Sequence, residues 1–392
     1  MSEKKESNEN EQSEAQTESN SQNSTTDPAE LGEKIIKDAI VNCIDPVTNC
    51  DLVSLGMIDT VDVQMGEAQV AILLPCSIDA YSNTKELEQL ISSSLADTGM
   101  VSQVKFKYAT MTESEKDDYI LHLETTYKGK SQLKDSTRVI AISSGKGGVG
   151  KSSVTTNLAI SISKLGYRVG LLDADVYGFS IPNMLGPEAE PIVIGNSVVP
   201  ARAHKINFVS AGLFADDDQP IIWRGPMLHK ALEQFLANVM WCEPDFLVLD
   251  MPPGTGDVAL SIASLIPDAE FYVVTTPQKS AESVAQRSAI AARQLKLPLR
   301  GVIENMSYFE GDDHKRYELF GRGGGQQLAD HLSVKLLGQV PLVPDLRAGS
   351  DNGIPIVISD PNSNASKEFE KIADEIVELG PAKKRLQALK VR

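Results

Sequence analysis

The residues of this chain best suited to chemistry form a short glycine-rich segment, 145–152, with the sequence G-K-G-G-V-G-K-S. It fits the pattern G-x-x-x-x-G-K-[ST] and adds a second lysine, Lys146, which the pattern does not require. Glycines let the backbone turn tightly, so that successive N–H groups can point at phosphate oxygens. Lys151 can reach the β- and γ-phosphates, and the Ser152 hydroxyl can take a Mg²⁺ position. The residues predicted here to bind ATP are Gly145, Lys146, Gly147, Gly148, Val149, Gly150, Lys151, Ser152 and Ser153.

Carboxylates that follow apolar runs complete the predicted chemistry. Asp250 ends the run F-L-V-L-D, and a hard oxygen there can hold a water on Mg²⁺ opposite Ser152. The turn that follows, 252–257, has the composition of a loop that responds to the γ-phosphate; the alternative is a plain tight turn. In L-L-D-A-D, we predict that Asp175 positions the attacking water and that Asp173 lies nearer the metal. The alternative is that both are solvated loop carboxylates.

Strand and helix patterns alternate around these residues and must position them. The predicted strands are 138–144, 168–173, 245–250, 270–276, 299–305 and 335–340, and the clearest predicted helices are 152–165 and 226–239. Such alternation predicts an α/β fold with a doubly wound, mostly parallel sheet. Ligands in that architecture bind beyond the carboxyl ends of the strands, which is where the glycine loop and the aspartates fall.

The rest of the chain divides by composition. Residues 1–29 are polar and predict a disordered acidic tail, and 30–110 predict a small α+β domain of order α-β-β-α-β. Residues 111–136 predict a charged linker with room for a short helix, and 137–381 predict the P-loop ATPase domain. The end, 382–392, is a basic tail; a solvated tail is favoured over a lipid-binding segment.

Overall composition narrows the function classes. The chain has 392 residues and a net charge of −17, which argues against binding nucleic acid through bulk electrostatics. Neither a signal peptide nor an apolar run of about 18 residues is present, so we expect a cytoplasmic protein without a membrane anchor. The cysteines, none in a C-x-x-C pair, are Cys43, Cys50, Cys76 and Cys242.

The motifs together resemble those of the Mrp family of P-loop ATPases, which are described as carriers or scaffolds for iron–sulfur clusters. The motifs that carry the resemblance are K-G-G-V-G-K-S, L-L-D-A-D-V-Y-G, W-R-G-P-M, D-M-P-P-G-T-G-D, T-T-P-Q and E-N-M-S-Y-F. The resemblance implies a homodimer with ATP between the P-loops, slow hydrolysis, and delivery of clusters to target apoproteins. It also implies that Lys146 reaches the partner's ATP and that Asn305 contacts adenine. Residues 30–110 resemble the small cluster-assembly domain often fused ahead of these ATPases.

One motif departs from the family pattern. The family carries a C-x-x-C pair shortly after E-N-M-S-Y-F, whereas here 310–316 read E-G-D-D-H-K-R. Iron–sulfur clusters prefer soft thiolates, so Asp312, Asp313 and His314 are poor substitutes and favour a solvated loop. Cys76 is the remaining candidate cluster ligand, with a buried structural cysteine as the equal alternative.

These observations predict an ATPase with a deviant Walker A motif that carries iron–sulfur clusters. The predicted catalytic residues are Lys146, Lys151 and Asp175, and the predicted Mg²⁺ ligands are Ser152, Asp173 and Asp250. One alternative is a partition or positioning ATPase of the same superfamily, acting as an ATP-gated switch. Another is a family member that has lost its cluster and retains ATP-gated partner binding.

Overall fold

A computed structural model of the chain describes most of its length. The described residues are 35–36, 38–46, 48, 50–76, 78, 81, 84–127, 133–175, 178–186, 191–194, 197–210, 225–254, 257–311, 313 and 315–382. The predicted tail 1–29 and nearly all of the predicted tail 382–392 lie outside these residues.

The amino-terminal region contains a three-stranded sheet in the order β1 (Ile58–Gln64), β2 (Glu67–Leu74), β3 (Gln103–Thr110). β1 and β2 are antiparallel around Met65 and Gly66, both of which have positive φ, and β2 and β3 are parallel. Alternate side chains such as Val70 and Ile72 are buried, because successive residues of a strand face opposite sides of the sheet. Helix α1 (Thr84–Ala96) connects β2 to β3, so the β-β-α-β part of the predicted order is confirmed.

The predicted linker 111–136 is more structured than its charge suggests. It contains α2 (Glu113–Tyr127), a helix of 15 residues rather than a short one. Tyr119 and Leu123, spaced i and i+4, are buried in the same cluster as Leu87 of α1. The charged residues cover the other faces of this helix, which is why the sequence predicts a charged linker. The division of the chain into domains stays a prediction.

The larger region is built on an eight-stranded sheet, parallel except at one edge. In spatial order its strands are β15 (Lys335–Gln339), β12 (Leu299–Glu304), β11 (Glu270–Thr275), β4 (Arg138–Ser144), β10 (Phe246–Asp250), β5 (Val169–Asp173), β9 (Ile206–Ser210) and β8 (Ala201–Ala203). Only β8 is antiparallel to its neighbour. The predicted α/β class and mostly parallel sheet are therefore confirmed.

Helices cover both faces of this sheet and bury their apolar sides on it. They are α3 (Lys151–Lys164), α4 (Ile181–Leu185), α5 (Gly225–Asn238), α6 (Asp257–Leu265), α7 (Lys279–Gln294), α8 (Gly324–Leu332), α9 (Pro344–Asp351), α10 (Ile356–Ser359) and α11 (Asn364–Glu378). α3 is buried along most of its length because it packs against the sheet on one side and α11 on the other. The residues just before α3 follow β4, an interior strand of the sheet.

Strand register brings the predicted carboxylates to one edge of the sheet. β10 lies between β4 and β5, with Asp250 paired to Ile142 on one side and to Asp173 on the other. All three strands run in the same direction, so their carboxyl ends meet beside the segment that follows β4.

The two regions share apolar contacts. Val199 and Met240 of the larger region are buried in the amino-terminal cluster. Arg202 reaches the same region, with its Nη2 3.3 Å from Glu86 and its Nη1 hydrogen-bonded to the carbonyl of Pro46. These residues lie near β8, so the amino-terminal region packs at the antiparallel edge of the large sheet.

Some of the observed strands were not predicted from the sequence. Short, weakly patterned runs between residues 192 and 210 form the hairpin β6 (Ile192–Ile194) and β7 (Ser197–Val199), as well as β8 and β9. The ends of the predicted loop at 310–316 belong to a small hairpin, β13 (Phe309–Glu310) and β14 (Arg316–Tyr317).

Among the described helices, none combines the length and apolar character needed to cross a bilayer.

Candidate functional site

The glycine-rich segment leaves β4 and enters α3 in one tight turn. Gly148 and Gly150 adopt positive φ values of 78° and 75°, a conformation that residues with a Cβ rarely tolerate. Gly150 caps α3 without a side-chain hydrogen bond, so the first N–H groups of the helix remain open towards the adjacent cavity. A helix N-terminus of this kind is a binding site for phosphate.

The cavity beside this turn has a volume of about 660 Å³. Its lining comprises Ser144, Lys146, Gly147, Gly148, Val149, Gly150, Lys151, Ser152, Ser153, Asp175, Gly178, Ser180, Met184, Leu228, Pro252, Pro253 and Val258. The structure therefore brings together most of the residues predicted from the sequence. Gly145, Asp173, Asp250 and Asn305 are not part of this lining; they lie behind it.

Lys151 and Asp250 form the buried centre of the site. The Lys151 Nζ lies 2.6 Å from Asp250 Oδ2, and both side chains are almost wholly buried. The Ser152 hydroxyl donates to the same oxygen at 2.6 Å, and the Thr155 hydroxyl donates to Asp250 Oδ1 at 2.7 Å. Both carboxylate oxygens are thus occupied by groups from the first two turns of α3.

Asp173 and Asp175 have different surroundings. Asp173 is fully buried, accepting hydrogen bonds from the Asp175 N–H at 3.1 Å and the Ser210 hydroxyl at 3.0 Å. Burial and the nearby Asp250 carboxylate raise the pKa of Asp173 to about 7, although Lys151 and the hydrogen bonds oppose this. Asp175 faces the cavity, 3.8 Å from the Lys151 Nζ. The interpretation of both as solvated loop carboxylates is wrong, because Asp175 is buried as well.

Helix α7 packs against the glycine-rich segment and against the turn that follows Asp250. Lys146 Nζ donates to Gln278 Oε1, at the start of α7, over 3.2 Å. Gly145 lies so close to α7 that a Cβ there would be 2.2 Å from the Ala285 nitrogen. Ser288 of α7 donates to the carbonyl of Gly254, in the turn that follows Asp250, at 3.1 Å.

Two polar atoms near the glycine loop are left without hydrogen bonds. Asn305 donates its amide to the Val149 carbonyl at 2.9 Å, but its Oδ1 has no partner among the described residues. The same is true of the Ser153 hydroxyl. Buried polar atoms are nearly always satisfied, so these two fit a site completed by a ligand. An adenine contact by Asn305 stays a prediction.

Comparison with known proteins decides the family. A family model described as ParA, NUBPL iron-transfer P-loop NTPase, matches residues 135–377, more than half of the chain. The chain belongs to this family. The resemblance seen in the motifs is thereby confirmed.

Relatives of the NUBPL-type NTPase extend the match beyond the P-loop region. An iron–sulfur cluster carrier protein of Mycobacterium leprae is 41% identical over 350 residues, covering 86% of this chain and 91% of that protein. The protein of the same name from Synechocystis is 38% identical over 350 residues, covering 86% and 96% respectively. A solved nucleotide-binding protein from Archaeoglobus fulgidus, in complex with ADP, has a TM-score of 0.50 and 31% identity, covering 59% of this chain and 92% of its own.

Magnesium is the cation expected beside a nucleotide in this NTPase, and the residues present fit it. Ser152, Asp250 and Asp173 supply hard oxygen donors close to one another, as Mg²⁺ prefers. The raised pKa of Asp173 reflects two buried carboxylates side by side, which a divalent cation would relieve.

A cluster site is harder to recognise in this NTPase. In the part of the chain that the structure describes, no group of at least three His, Cys, Asp or Glu side chains is arranged to hold a metal ion. Cys43, Cys50 and Cys242 are buried and Cys76 is half-buried. Burial raises the pKa of the Cys76 thiol, although Lys116 opposes this, so the neutral thiol is favoured here. Asp312 and His314 lie outside the described residues, and Asp313 accepts a hydrogen bond from the Tyr317 hydroxyl at 2.9 Å.

Several residues of the site were missed by sequence reasoning. Thr155 lies three positions after Ser152, and this spacing on one helix face was a usable signal. Ser210 was missed because strand β9 was not predicted. Gln278 belongs to the T-T-P-Q motif, for which the sequence analysis predicts no role in the site. Ser288 gave no signal, since its contact depends on how α7 packs.

Proposed function

We propose that this NTPase hydrolyses ATP and carries iron–sulfur clusters to target apoproteins in the cytoplasm. The observation that carries the proposal is the convergence of Lys146, Lys151 and Asp175 on one cavity at the N-terminus of α3. The names of the relatives, iron–sulfur cluster carrier proteins, supply the cargo.

Each residue has a role in the proposed hydrolysis. The N–H groups of 145–153 hold the phosphates, and Lys151 leaves Asp250 to neutralise the β- and γ-phosphates. Ser152, Asp250 and Asp173 hold Mg²⁺ directly or through water. Asp175 positions the attacking water, since among the described residues it is the carboxylate that lines the cavity. In a homodimer, Lys146 reaches the ATP of the partner subunit.

The cargo cluster requires ligands that one subunit does not assemble within its described residues. Cys76 is our candidate, and one such thiolate per subunit gives two per dimer, short of the roughly four of an all-cysteine cluster. A partner protein or a small thiol would then complete the site. This proposal predicts a labile cluster, in keeping with a protein that gives its cargo away.

The test is anaerobic reconstitution with iron and sulfide, followed by transfer to an apo-ferredoxin with and without Mg²⁺–ATP. We expect weak iron binding that Cys76→Ser diminishes and that Cys43→Ser, a buried control, leaves unchanged. A stable species with about four irons per dimer, unaffected by Cys76→Ser, would show that other residues are the ligands. Failure of both binding and transfer would remove the carrier function and leave ATP-gated partner binding.

The positioning alternative has its own readout. A partition-type ATPase would associate with lipid or DNA in an ATP-dependent manner. Flotation with anionic liposomes, with and without ATP, measures this directly. We expect no ATP-dependent flotation, because the chain carries a net charge of −17.

A further inference from the structure

Helix α7 contacts the phosphate-binding turn at both sides. At its N-terminal end Gln278 accepts a hydrogen bond from Lys146. Roughly two to three turns further along, the Ala285 backbone packs against Gly145, and the Ser288 hydroxyl donates to the carbonyl of Gly254. A rigid helix therefore sets where the first lysine of the glycine loop can lie.

The position of Gln278 is well defined by its backbone. It is the N-cap of α7, and its carbonyl accepts hydrogen bonds from the N–H groups of Ala281 at 2.9 Å and Glu282 at 3.1 Å. Its side-chain oxygen faces the Lys146 Nζ at 3.2 Å. Lys146 itself is only partly buried, so its ammonium can move once this contact is broken.

We infer that Gln278 is a positioning residue that holds Lys146 within its own subunit in the nucleotide-free protein. Release from Gln278 lets Lys146 reach across to the partner's nucleotide. This inference rests on the proposed function, in which Lys146 acts in the neighbouring subunit's site.

The side-chain amide of Gln278 suits a contact with Lys146 that must be broken. A neutral amide oxygen holds an ammonium more weakly than a carboxylate would. A triphosphate carries several negative charges and competes effectively with the amide. A carboxylate at 278 would instead form an ion pair with Lys146 and keep the lysine in place. The amide thus restrains the lysine without trapping it.

Substitutions at this position should act in opposite directions. We expect Gln278→Ala and Gln278→Met to raise ATP hydrolysis and ATP-dependent dimer formation about fivefold at protein concentrations well below the dimer dissociation constant, the effect of losing one ordinary hydrogen bond. Gln278→Glu should lower both by at least that factor. Damage to the fold would lower both quantities in all three variants. Gln327→Ala and Gln327→Glu, at an exposed glutamine of α8, are the matched controls.

The measurements are steady-state phosphate release and sedimentation velocity, with thermal unfolding to confirm that each variant is folded. Lys146→Ala separates the positioning role of Gln278 from the role of Lys146 in the partner's site. If Lys146→Ala is inactive but all Gln278 variants behave like the parent, the positioning role is wrong while the proposed function stands. If Lys146→Ala hydrolyses ATP like the parent, the trans role of the lysine fails and the inference fails with it.

Discussion

The Lys151 ammonium lies 2.6 Å from the Asp250 carboxylate, although nucleotide hydrolysis requires these two groups on different partners. In the proposed hydrolysis the lysine contacts the phosphates and the aspartate belongs to the Mg²⁺ shell. In this structure each neutralises the other in a buried setting. Under the proposed function, binding of Mg²⁺–ATP would exchange this internal ion pair for two interactions with the ligand.

We predict that Lys151→Ala has two separable effects. Hydrolysis should fall at least about 100-fold, because a preorganised charge on the γ-phosphate is lost. The nucleotide-free protein should also lose about 3 kcal/mol of stability, because the buried Asp250 loses its counter-charge. Phosphate release and urea unfolding measure the two effects. Lys315→Ala, at an exposed lysine, is the control. Turnover within about threefold of the parent would contradict the role of Lys151.

Lys146→Ala and Asp175→Ala should each be inactive alone and partly active when mixed. In a mixed dimer, one composite site regains a lysine from one subunit and an aspartate from the other. The measurement is phosphate release from mixtures, after subunit exchange has been verified with differently labelled chains. If exchange is complete and activity stays at the level of the separate variants, Lys146 does not act in trans.

Two glycines of the same loop should respond very differently to alanine. A Cβ at Gly145 would lie 2.2 Å from the backbone of α7, whereas one at Gly147 meets no atom within 4 Å. We expect Gly145→Ala to lower the free energy of unfolding by about 2 kcal/mol or more and to abolish nucleotide binding. Gly147→Ala should unfold like the parent. Thermal unfolding without nucleotide compares the pair, and equal stability of the two variants would contradict the packing described here.

The stability of the protein without metal and nucleotide should depend on Asp173. Its pKa is raised from 3.8 to about 7, so between these values the folded protein retains a proton that the unfolded chain releases. Stability therefore declines as pH rises through this window, and the decline ends above the folded-state pKa. Asp173→Asn removes the effect. Urea unfolding in EDTA across this range should show the parent losing stability relative to the variant, and parallel profiles would contradict the assignment.

Much of the larger region was predictable because its strands are continuous apolar runs. Arg138–Ser144 was predicted at its observed bounds, and Phe246–Asp250 differed by one residue. The short strands between residues 192 and 210 were not predictable, because runs of three to five residues lack a periodic pattern. Because these strands were not predicted, Ser210 was also missed. Its hydroxyl donates a hydrogen bond to Asp173.

The nucleotide site was predictable as a set of residues but not as an arrangement. The glycine pattern identifies which groups face a phosphate, since this depends on local backbone geometry. The pairing of Lys151 with Asp250 depends on the register of β4 and β10, and the contact of Lys146 with Gln278 depends on the packing of α7. Neither follows from local sequence.

The burial of Val199 and Met240 inside the amino-terminal cluster has a consequence for how the chain can be divided. A fragment starting at residue 137 would present both side chains to water, and Arg202 would lose its acceptors on Pro46 and Glu86. Such a fragment exposes a new apolar patch. We expect it to self-associate through this patch, whether or not ATP is bound. Oligomers of the truncated protein would then be mistaken for the proposed dimer, so subunit assembly is best studied with the amino-terminal region in place.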